Sequence, residues 1–209
     1  MPRPADIAAI ILAAGMARRF GDATEASKVV ALLAGKPLVR HVAEAAAASQ
    51  ARPLIAVLGP AAEQVEAALA GLDATCRYNE DPSRGLSHSL ALGLAGVPQQ
   101  CAGAIILLAD MPRVSAEIID RLVAAFRAAT VTPRAVVPVR AGRRGNPVLL
   151  GRAIFADAMK IDGDQGARAL LAMQTDGIIE CPIDDEAIET DIDSKADLAR
   201  LARQMQESG

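Results

Sequence analysis

The sequence contains few aromatic residues and few histidines. Its 209 residues include no tryptophan, one tyrosine, three phenylalanines and two histidines. Core packing must therefore rely on alanine, leucine, isoleucine and valine, a composition that suits closely packed helices because alanine has the highest helix propensity. His41 and His88 belong to no Ser/His/Asp grouping, so the sequence gives no indication of nucleophilic catalysis of that type.

Cysteines, long apolar runs and clustered basic residues are also scarce. The cysteines Cys76, Cys101 and Cys181 form no CxxC pair, so we expect reduced thiols in a cytoplasmic protein. No apolar run approaches the roughly 18 to 20 residues that a membrane helix needs, and the first residues lack the apolar core of a signal peptide. The net charge of −3 gives no sign of a nucleic-acid surface. We therefore expect neither a membrane nor a nucleic acid as partner.

Apolar runs typical of strands alternate with segments typical of helices along the whole chain. This alternation favours a parallel sheet with helices on both faces, so we expect one α/β domain over residues 1–209, with three layers and a mostly parallel sheet. The expected strands are 7–12, 54–58, 75–78, 104–109, 135–139, 147–150 and 178–183. The expected helices are 37–49, 61–70, 87–94, 115–129 and 164–173, with a last one that Ser194 would cap.

The segment after the first strand carries most of the functional information. The apolar run passes into small residues that end at Gly15, and Arg18, Arg19 and Lys28 follow. Small residues let backbone N–H groups approach phosphate oxygens, and the basic residues neutralise phosphate charge, so the segment suits a nucleoside triphosphate. Neither the Walker A pattern nor G-x-G-x-x-G is present. The alternative is a strand-to-helix turn with solvated basic residues.

Asp110 directly follows the strand expected at 104–109. In open α/β sheets, ligands bind outside the carboxyl ends of the strands. A carboxylate there can hold Mg²⁺, which prefers oxygen ligands and is often shared with substrate phosphates. The alternative is an ordinary aspartate in the loop that leads to the helix expected from Ser115.

Residues 12–21, together with Lys28, resemble the opening signature of the MobA-like nucleotidyltransferases, L-A-[AG]-G-x-[SG]-x-R-[MF]-G followed by lysine. Ala17 stands where a serine is common. The resemblance implies a Rossmann-like (GT-A-like) nucleotidyltransferase fold. It also implies that Arg19 and Lys28 bind the triphosphate and that the nucleotide contacts the segment Leu12, Ala13, Ala14 and Gly15.

Two aspartate motifs extend the resemblance. Ala109-Asp110-Met111-Pro112 is similar to the family's [GA]-D-M-P motif, whose aspartate holds the catalytic magnesium. Residues 191–198 resemble D-[IV]-D-T-P-E-D-L, with Ser-Lys-Ala-Asp in place of Thr-Pro-Glu-Asp. The resemblance implies that Asp193 also faces the metal, with Asp191 as a weaker candidate. The alternative is helix capping and dipole stabilisation, which contribute about 0.5–2 kcal/mol.

Residues 79–90 are similar to the family's loop of the form N-x-x followed by G-M-S-S-S-L. The resemblance implies that Asn79, Ser87 and Ser89 contact the nucleotide, the serines at its base or ribose. His88 stands at a serine position and would contact a phosphate on the acceptor side. The alternative is a solvated loop histidine.

Two further motifs point to the acceptor. Residues 145–149 resemble G-[HN]-P-V-[LI], and residues 163–168 resemble G-D-x-G-A-R. Both are familiar from the branch of the family that acts on molybdenum cofactor, the cytidylyltransferases among them. The resemblance implies that Asn146 and Arg168 bind the acceptor, although an i,i+4 pair with Asp164 would also explain Arg168.

Taken together, the motifs imply that an acceptor phosphate attacks the α-phosphorus of a nucleoside triphosphate and that pyrophosphate leaves. Arg19, Lys28 and Asp110 would be the catalytic residues, with Mg²⁺ as cofactor. Ala14, in L-A-A-G rather than L-A-G-G, favours CTP over GTP. The hypothesis is cytidylyl transfer to molybdenum cofactor, with a molybdoenzyme or its chaperone as a further partner.

Three alternatives to this hypothesis remain. A related transferase would use GTP, or a sugar or polyol phosphate as acceptor. A non-catalytic protein would bind the cofactor and deliver it. A dinucleotide-binding reductase is disfavoured because the glycine fingerprint is missing.

Overall fold

The computed structural model describes residues 6–15, 28–163, 166–173 and 176–207. Their strands, in chain order, are β1 (Asp6–Ala13), β2 (Leu32–Leu33), β3 (Lys36–Pro37), β4 (Leu54–Leu58), β5 (Ala74–Tyr78), β6 (Cys101–Leu108), β7 (Ala135–Arg140), β8 (Arg143–Arg144), β9 (Val148–Gly151) and β10 (Ile178–Pro182). Their α-helices are α1 (Leu38–Ala48), α2 (Ala62–Leu69), α3 (Leu86–Ala95), α4 (Ala116–Ala128), α5 (Phe155–Ala158), α6 (Gly166–Met173) and α7 (Lys195–Glu207).

The central sheet is mostly parallel. Its strands lie in the order β10, β7, β9, β6, β1, β4, β5, and β8 pairs with β7. β1 pairs in parallel with both β4 and β6, whereas β9 runs antiparallel to β6 and β7. The predicted α/β fold with a mostly parallel sheet is confirmed.

Helices cover both faces of the sheet, and β1 is apolar on both sides. Its odd-numbered residues 7–13 pack with side chains of α1, α2 and α4, and its even-numbered residues, with Ala14, pack with those of α3, α5 and α6. Successive strand side chains point to opposite faces, so a strand buried on both faces is a continuous apolar run. This is the pattern that the sequence shows at 7–12.

The carboxyl ends of four parallel strands meet at one edge of the sheet. Leu12 of β1 lies opposite Val57 of β4 and Leu108 of β6, and Leu58 lies opposite Tyr78 of β5. The chain runs outward from β1 through β4 and β5, and then returns to place β6 on the other side of β1. Such a reversal of strand order is where open α/β sheets bind ligands. Ala14 and Gly15, which follow β1, and the loop after β6 flank it.

Two predicted helix caps are confirmed. The hydroxyl of Ser115 accepts a hydrogen bond from the backbone N–H of Ile118 at 3.3 Å. The hydroxyl of Ser194 accepts one from the N–H of Asp197 at 3.1 Å and donates to its carboxylate at 2.6 Å. Both bonds satisfy backbone donors that a helix N-terminus leaves free.

Several short elements were not predicted from the sequence. These are the β2–β3 hairpin, β8 and α5, none of which is long enough to show a period in its apolar residues. The hairpin matters for the site because α7 packs on it, through a small core of Leu33, Leu38, Ile192 and Leu201. No helix in the described part of the chain combines the length and the apolarity needed to span a bilayer.

Candidate active site

An ammonium group lies between two carboxylates where the loops after β1 and β6 meet. The Nζ atom of Lys28 lies 2.7 Å from Oδ2 of Asp110 and 3.0 Å from Oδ1 of Asp193. The Lys28 side chain is 17% exposed, that of Asp110 21% and that of Asp193 54%. The fold thus brings together three residues that the sequence analysis singled out, although 82 and 165 positions separate the lysine from its partners.

Backbone hydrogen bonds hold the two aspartates next to each other. The carbonyl of Asp110 accepts a bond from the N–H of Ile192 at 2.9 Å. Ile192 is buried in the small core under α7, so it anchors the segment that carries Asp191 and Asp193. On the other side, the N–H of Ala109 donates to the carbonyl of Leu12 at 3.2 Å, which ties the same loop to β1.

The local charges affect the protonation of Lys28 and Asp191. Burial lowers the pKa of Lys28, but its ion pairs with Asp110 and Asp193 outweigh that effect, and the net pKa is raised. The pKa of Asp191 is also raised, first by burial and then by the neighbouring carboxylates of Asp193 and Asp110. The site therefore concentrates negative charge around one cation.

The donor set of this site fits a magnesium ion. Asp110 and Asp193 offer carboxylate oxygens, the ligand type that Mg²⁺ prefers, and they already hold a cation between them. Among the described residues, no group of three or more histidine, cysteine, aspartate or glutamate side chains could hold a metal alone. A magnesium ion here would take further ligands from water and from substrate phosphates, as it commonly does.

The end of β1 presents backbone rather than side chains to the edge of the sheet. Leu12, Ala13 and Ala14 are buried, and Gly15 is exposed. A Cβ added to Gly59, in the loop after β4, would lie 2.8 Å from both Cα and O of Ala14, so this loop packs directly on Ala14. A Cβ added to Gly15 would meet no atom of the described residues within 4 Å. Arg19 lies outside the described residues.

Asn79 is the centre of a buried polar network after β5. Its side-chain NH₂ donates to the hydroxyl of Ser89 at 2.9 Å, and its carbonyl oxygen accepts from the N–H of Asp81 at 3.0 Å. The same oxygen lies 2.9 Å from Nδ1 of His88. An amide oxygen is only an acceptor, so His88 carries its proton on Nδ1 when neutral. Two residues predicted to contact ligands, His88 and Ser89, are therefore both hydrogen-bonded to a third, Asn79.

Ser87 joins the start of α3 to a distant loop. Its hydroxyl and its backbone N–H both donate to the carbonyl of Gly163, at 2.6 and 3.1 Å. The serine is buried. Gly163 thus satisfies one of the free N–H groups of the first turn of α3. A contact of Ser87 with nucleotide remains a prediction.

Replacing Asn79 by alanine is expected to lower the free energy of unfolding by about 1–3 kcal/mol, because it leaves buried polar partners unpaired. His88→Ala is the matched control, since it removes one partner of the network from a half-buried position. Urea denaturation of both variants measures the difference. If Asn79→Ala and His88→Ala lose the same unfolding free energy, Asn79 contributes no more to the network than His88 does.

Besides His88, the predicted acceptor residues are Asn146, which the structure describes, and Arg168, of which it describes only the backbone. Asn146 lies just before β9, which is antiparallel, so the residue stands at the same edge of the sheet as Asp110. Its N–H donates to the carbonyl of Ile188 at 2.8 Å. Arg168 belongs to α6, but its side chain is outside the described part of the chain.

Comparison with known proteins identifies the family. The model of the MobA-like NTP transferase domain matches residues 9–178. The chain belongs to this family of nucleotidyltransferases. A curated relative, the bifunctional protein GlmU of Mycolicibacterium vanbaalenii, is 32% identical over 129 residues. That match covers 59% of this chain and 26% of the relative, so the chain spans about a quarter of the relative's length.

Solved structures agree with the fold of a MobA-like domain. The Rv0371c homolog from Mycobacterium sp. strain JC1 aligns with a TM-score of 0.82 and 26% identity, over 97% of this chain and 98% of that one. Rv0371c of Mycobacterium tuberculosis H37Rv, crystallised as a complex with manganese, aligns with a TM-score of 0.78 and 24% identity, over 95% and 98%.

An ion-pair network supports the segment that carries Asp193 in this MobA-like domain. Arg140, at the end of β7, lies 3.2 Å from Glu189, 3.3 Å from Asp184 and 3.6 Å from Glu186. Its hydrogen bond to Glu189 is the main cause of its raised pKa. Sequence reasoning missed this network. The available signal was the acidic stretch 184–189, which follows a stretch with three arginines at 140–144.

Proposed function

We propose that this chain transfers a nucleotidyl group from a nucleoside triphosphate to an acceptor phosphate and releases pyrophosphate. The observation that carries the proposal is the contact of Lys28 with Asp110 and Asp193 at the strand-order reversal of a MobA-like domain. A cation, two carboxylates and an exposed glycine backbone in one place match what a magnesium–triphosphate complex requires.

Each part of the site has a role in this reaction. Arg19 and Lys28 bind the triphosphate and stabilise the negative charge that develops on it. Backbone N–H groups near Ala14 and Gly15 position the nucleotide. Asp110 and Asp193 hold Mg²⁺, which supplies charge stabilisation at the phosphates. No general base is needed, because an acceptor phosphate is already anionic near pH 7. His88, which is hydrogen-bonded to Asn79 through Nδ1, has no role as a general base in this proposal.

CTP and molybdenum cofactor are the substrates we favour, with a molybdoenzyme or its chaperone as the protein that receives the product. The L-A-A-G form of the loop after β1 supports CTP. The motifs at 145–149 and 163–168 support the cofactor, since they resemble those of the branch that acts on it. The methyl group of Ala14 is buried, so we expect it to influence the base through the position of the backbone rather than by direct contact.

Ala14→Gly is expected to reduce the preference for CTP over GTP by about tenfold, the lower end of what one methyl group contributes to specificity. The ratio of kcat/KM values for the two nucleotides measures the effect. Ala13→Gly is the matched control, because the same methyl group is removed one residue earlier, where it packs on the other face of the sheet. If the ratio of kcat/KM values for CTP and GTP is unchanged in Ala14→Gly, Ala14 does not determine the choice of base.

The proposal is tested by pyrophosphate release. Purified protein is mixed with Mg²⁺, molybdenum cofactor and, in turn, CTP, GTP, ATP and UTP. Release that needs both CTP and the cofactor is the expected result. Release with another base keeps the chemistry and rejects the base assignment. Release only with a sugar or polyol phosphate rejects the cofactor as acceptor. If no combination turns over, the transferase proposal fails and a cofactor-delivery protein replaces it.

A further inference from the structure

The ammonium group of Lys28 lies on the carboxylate oxygens that a divalent metal ion needs. We propose that Lys28 competes with the metal for Asp110 and Asp193, and so keeps metal binding weak until a triphosphate draws the ammonium away. This inference rests on the proposed function, since it concerns the same site. It makes metal and nucleotide binding mutually dependent.

The competition follows from which atoms are shared. Lys28 donates hydrogen bonds to Oδ2 of Asp110 and Oδ1 of Asp193, at 2.7 and 3.0 Å. A magnesium or manganese ion coordinates such oxygens directly, at about 2.1 Å for magnesium. Because the ammonium lies between the two carboxylates and contacts both of these oxygens, a metal ion that bridges the same two oxygens would have to displace it.

Charge acts in the same direction. Without Lys28 the pair of aspartates presents two negative charges to a divalent cation, and with Lys28 one of the two is cancelled at contact distance. The lysine side chain and that of Asp110 are mostly shielded from water, so the repulsion between ammonium and metal is screened less than at an open surface.

The lysine can leave without a change of fold. Its backbone begins a 3₁₀ turn, in which the N–H of Ala31 donates to the Lys28 carbonyl at 3.0 Å and Val29 is buried. The main chain is therefore anchored, while the four-carbon stem is flexible. A triphosphate bound near Gly15 offers the ammonium more negative charge than the two aspartates do. Metal and nucleotide then favour each other's binding by the same factor.

The direct test is a titration of the full chain with Mn²⁺ alone, followed by electron paramagnetic resonance of the free ion. Lys28→Met is expected to bind Mn²⁺ about tenfold more tightly than the wild type, because an internal competitor reduces apparent affinity to the intrinsic affinity multiplied by the fraction of sites that it leaves open. Lys160→Met is the matched control, since it removes an exposed ammonium paired with Asp157. We expect it to bind Mn²⁺ like the wild type.

Equal or weaker Mn²⁺ binding by Lys28→Met overturns the proposal. The gain must also vanish when Asp110→Asn is added to Lys28→Met, and a gain that survives in the double variant overturns the proposal as well. Circular dichroism checks that the variants fold, and Lys28→Gln serves if the methionine variant does not. Reductive methylation of wild-type Lys28, read by mass spectrometry, should increase with Mn²⁺. A constant yield contradicts the competition.

These measurements separate the inference from the proposed function. The Mn²⁺ titrations and the methylation described so far contain no nucleotide, so failure of every nucleoside triphosphate to turn over would reject the transferase proposal and leave the competition standing. Conversely, turnover combined with unchanged Mn²⁺ affinity in Lys28→Met would reject only the competition. When CTP is added at saturation, the affinity gap between wild type and Lys28→Met should close, and a gap of constant size overturns the displacement by triphosphate.

Discussion

Asp110→Asn is expected to lower kcat for nucleotidyl transfer by about 10³-fold while the fold stays intact. The variant keeps the size of the side chain but removes the negative charge that contacts Lys28 and that would hold Mg²⁺. A thousandfold loss corresponds to about 4 kcal/mol of transition-state stabilisation, which is typical of removing one preorganised electrostatic contact. Pyrophosphate release under saturating substrates measures the loss.

Asp73→Asn is the matched control for this variant. Asp73 is exposed and lies just before β5, at the opposite edge of the sheet, so the same change of charge should leave kcat unaltered. Thermal unfolding shows whether both proteins are folded. Full activity of Asp110→Asn in delivering molybdenum cofactor to an acceptor enzyme would favour a non-catalytic carrier over a transferase.

Gly145→Ala is expected to lower the free energy of unfolding by about 2–3 kcal/mol, the upper range for overpacking a filled site. A Cβ at this position would collide with the carbonyl oxygen of Ile188 and lie 3.0 Å from its carbonyl carbon. Backbone atoms cannot rotate away as the end of a side chain can. That carbonyl also accepts the hydrogen bond from Asn146, so relief of the collision breaks a contact on the same loop.

The effect should also reach the metal site, because Ile188 precedes Asp193 by only five residues. We therefore expect weaker Mn²⁺ binding in Gly145→Ala. Gly15→Ala is the control for stability: its added Cβ meets no atom within 4 Å among the residues that the structure describes, so its unfolding free energy should stay within about 0.5 kcal/mol of the wild type. Urea denaturation compares the two. Equal stability of Gly145→Ala and the wild type would show that the short 3₁₀ turn Glu186–Ile188 can shift to make room for the added methyl group at no measurable cost.

The sheet and its helices could be predicted from the sequence because they have local signals. The continuous apolar runs of β1 and β6 indicate strands buried on both faces, and the serines before α4 and α7 mark helix starts. The antiparallel direction of β9 has no such signal, since an apolar run looks the same in either direction. Its place between β6 and β7 depends on pairing with strands far away in the chain.

The site could be predicted only as separate pieces. Lys28, Asp110 and Asp193 each stand in a recognisable motif, but nothing local indicates that the lysine lies on both aspartates. That contact depends on Ile192, whose burial under α7 and bond to the Asp110 carbonyl exist only in the folded chain. Nothing local indicates the partners of Ser87 and Ser89 either. Their motif predicts contacts with a ligand, whereas in the folded chain Ser87 bonds to Gly163 and Ser89 to Asn79.

The bond between Ile192 and the Asp110 loop also bears on synthesis of the chain. Strands β1, β4, β5 and β6 all precede Asp110, so the central part of the sheet can form while the ribosome is still adding the remaining residues. Asp193 joins Lys28 and Asp110 only after its segment has emerged and Ile192 has been buried. The two-carboxylate cation site therefore forms only after residue 193 has been synthesised, and a metal ion bound by both aspartates stabilises only a chain in which this segment has folded.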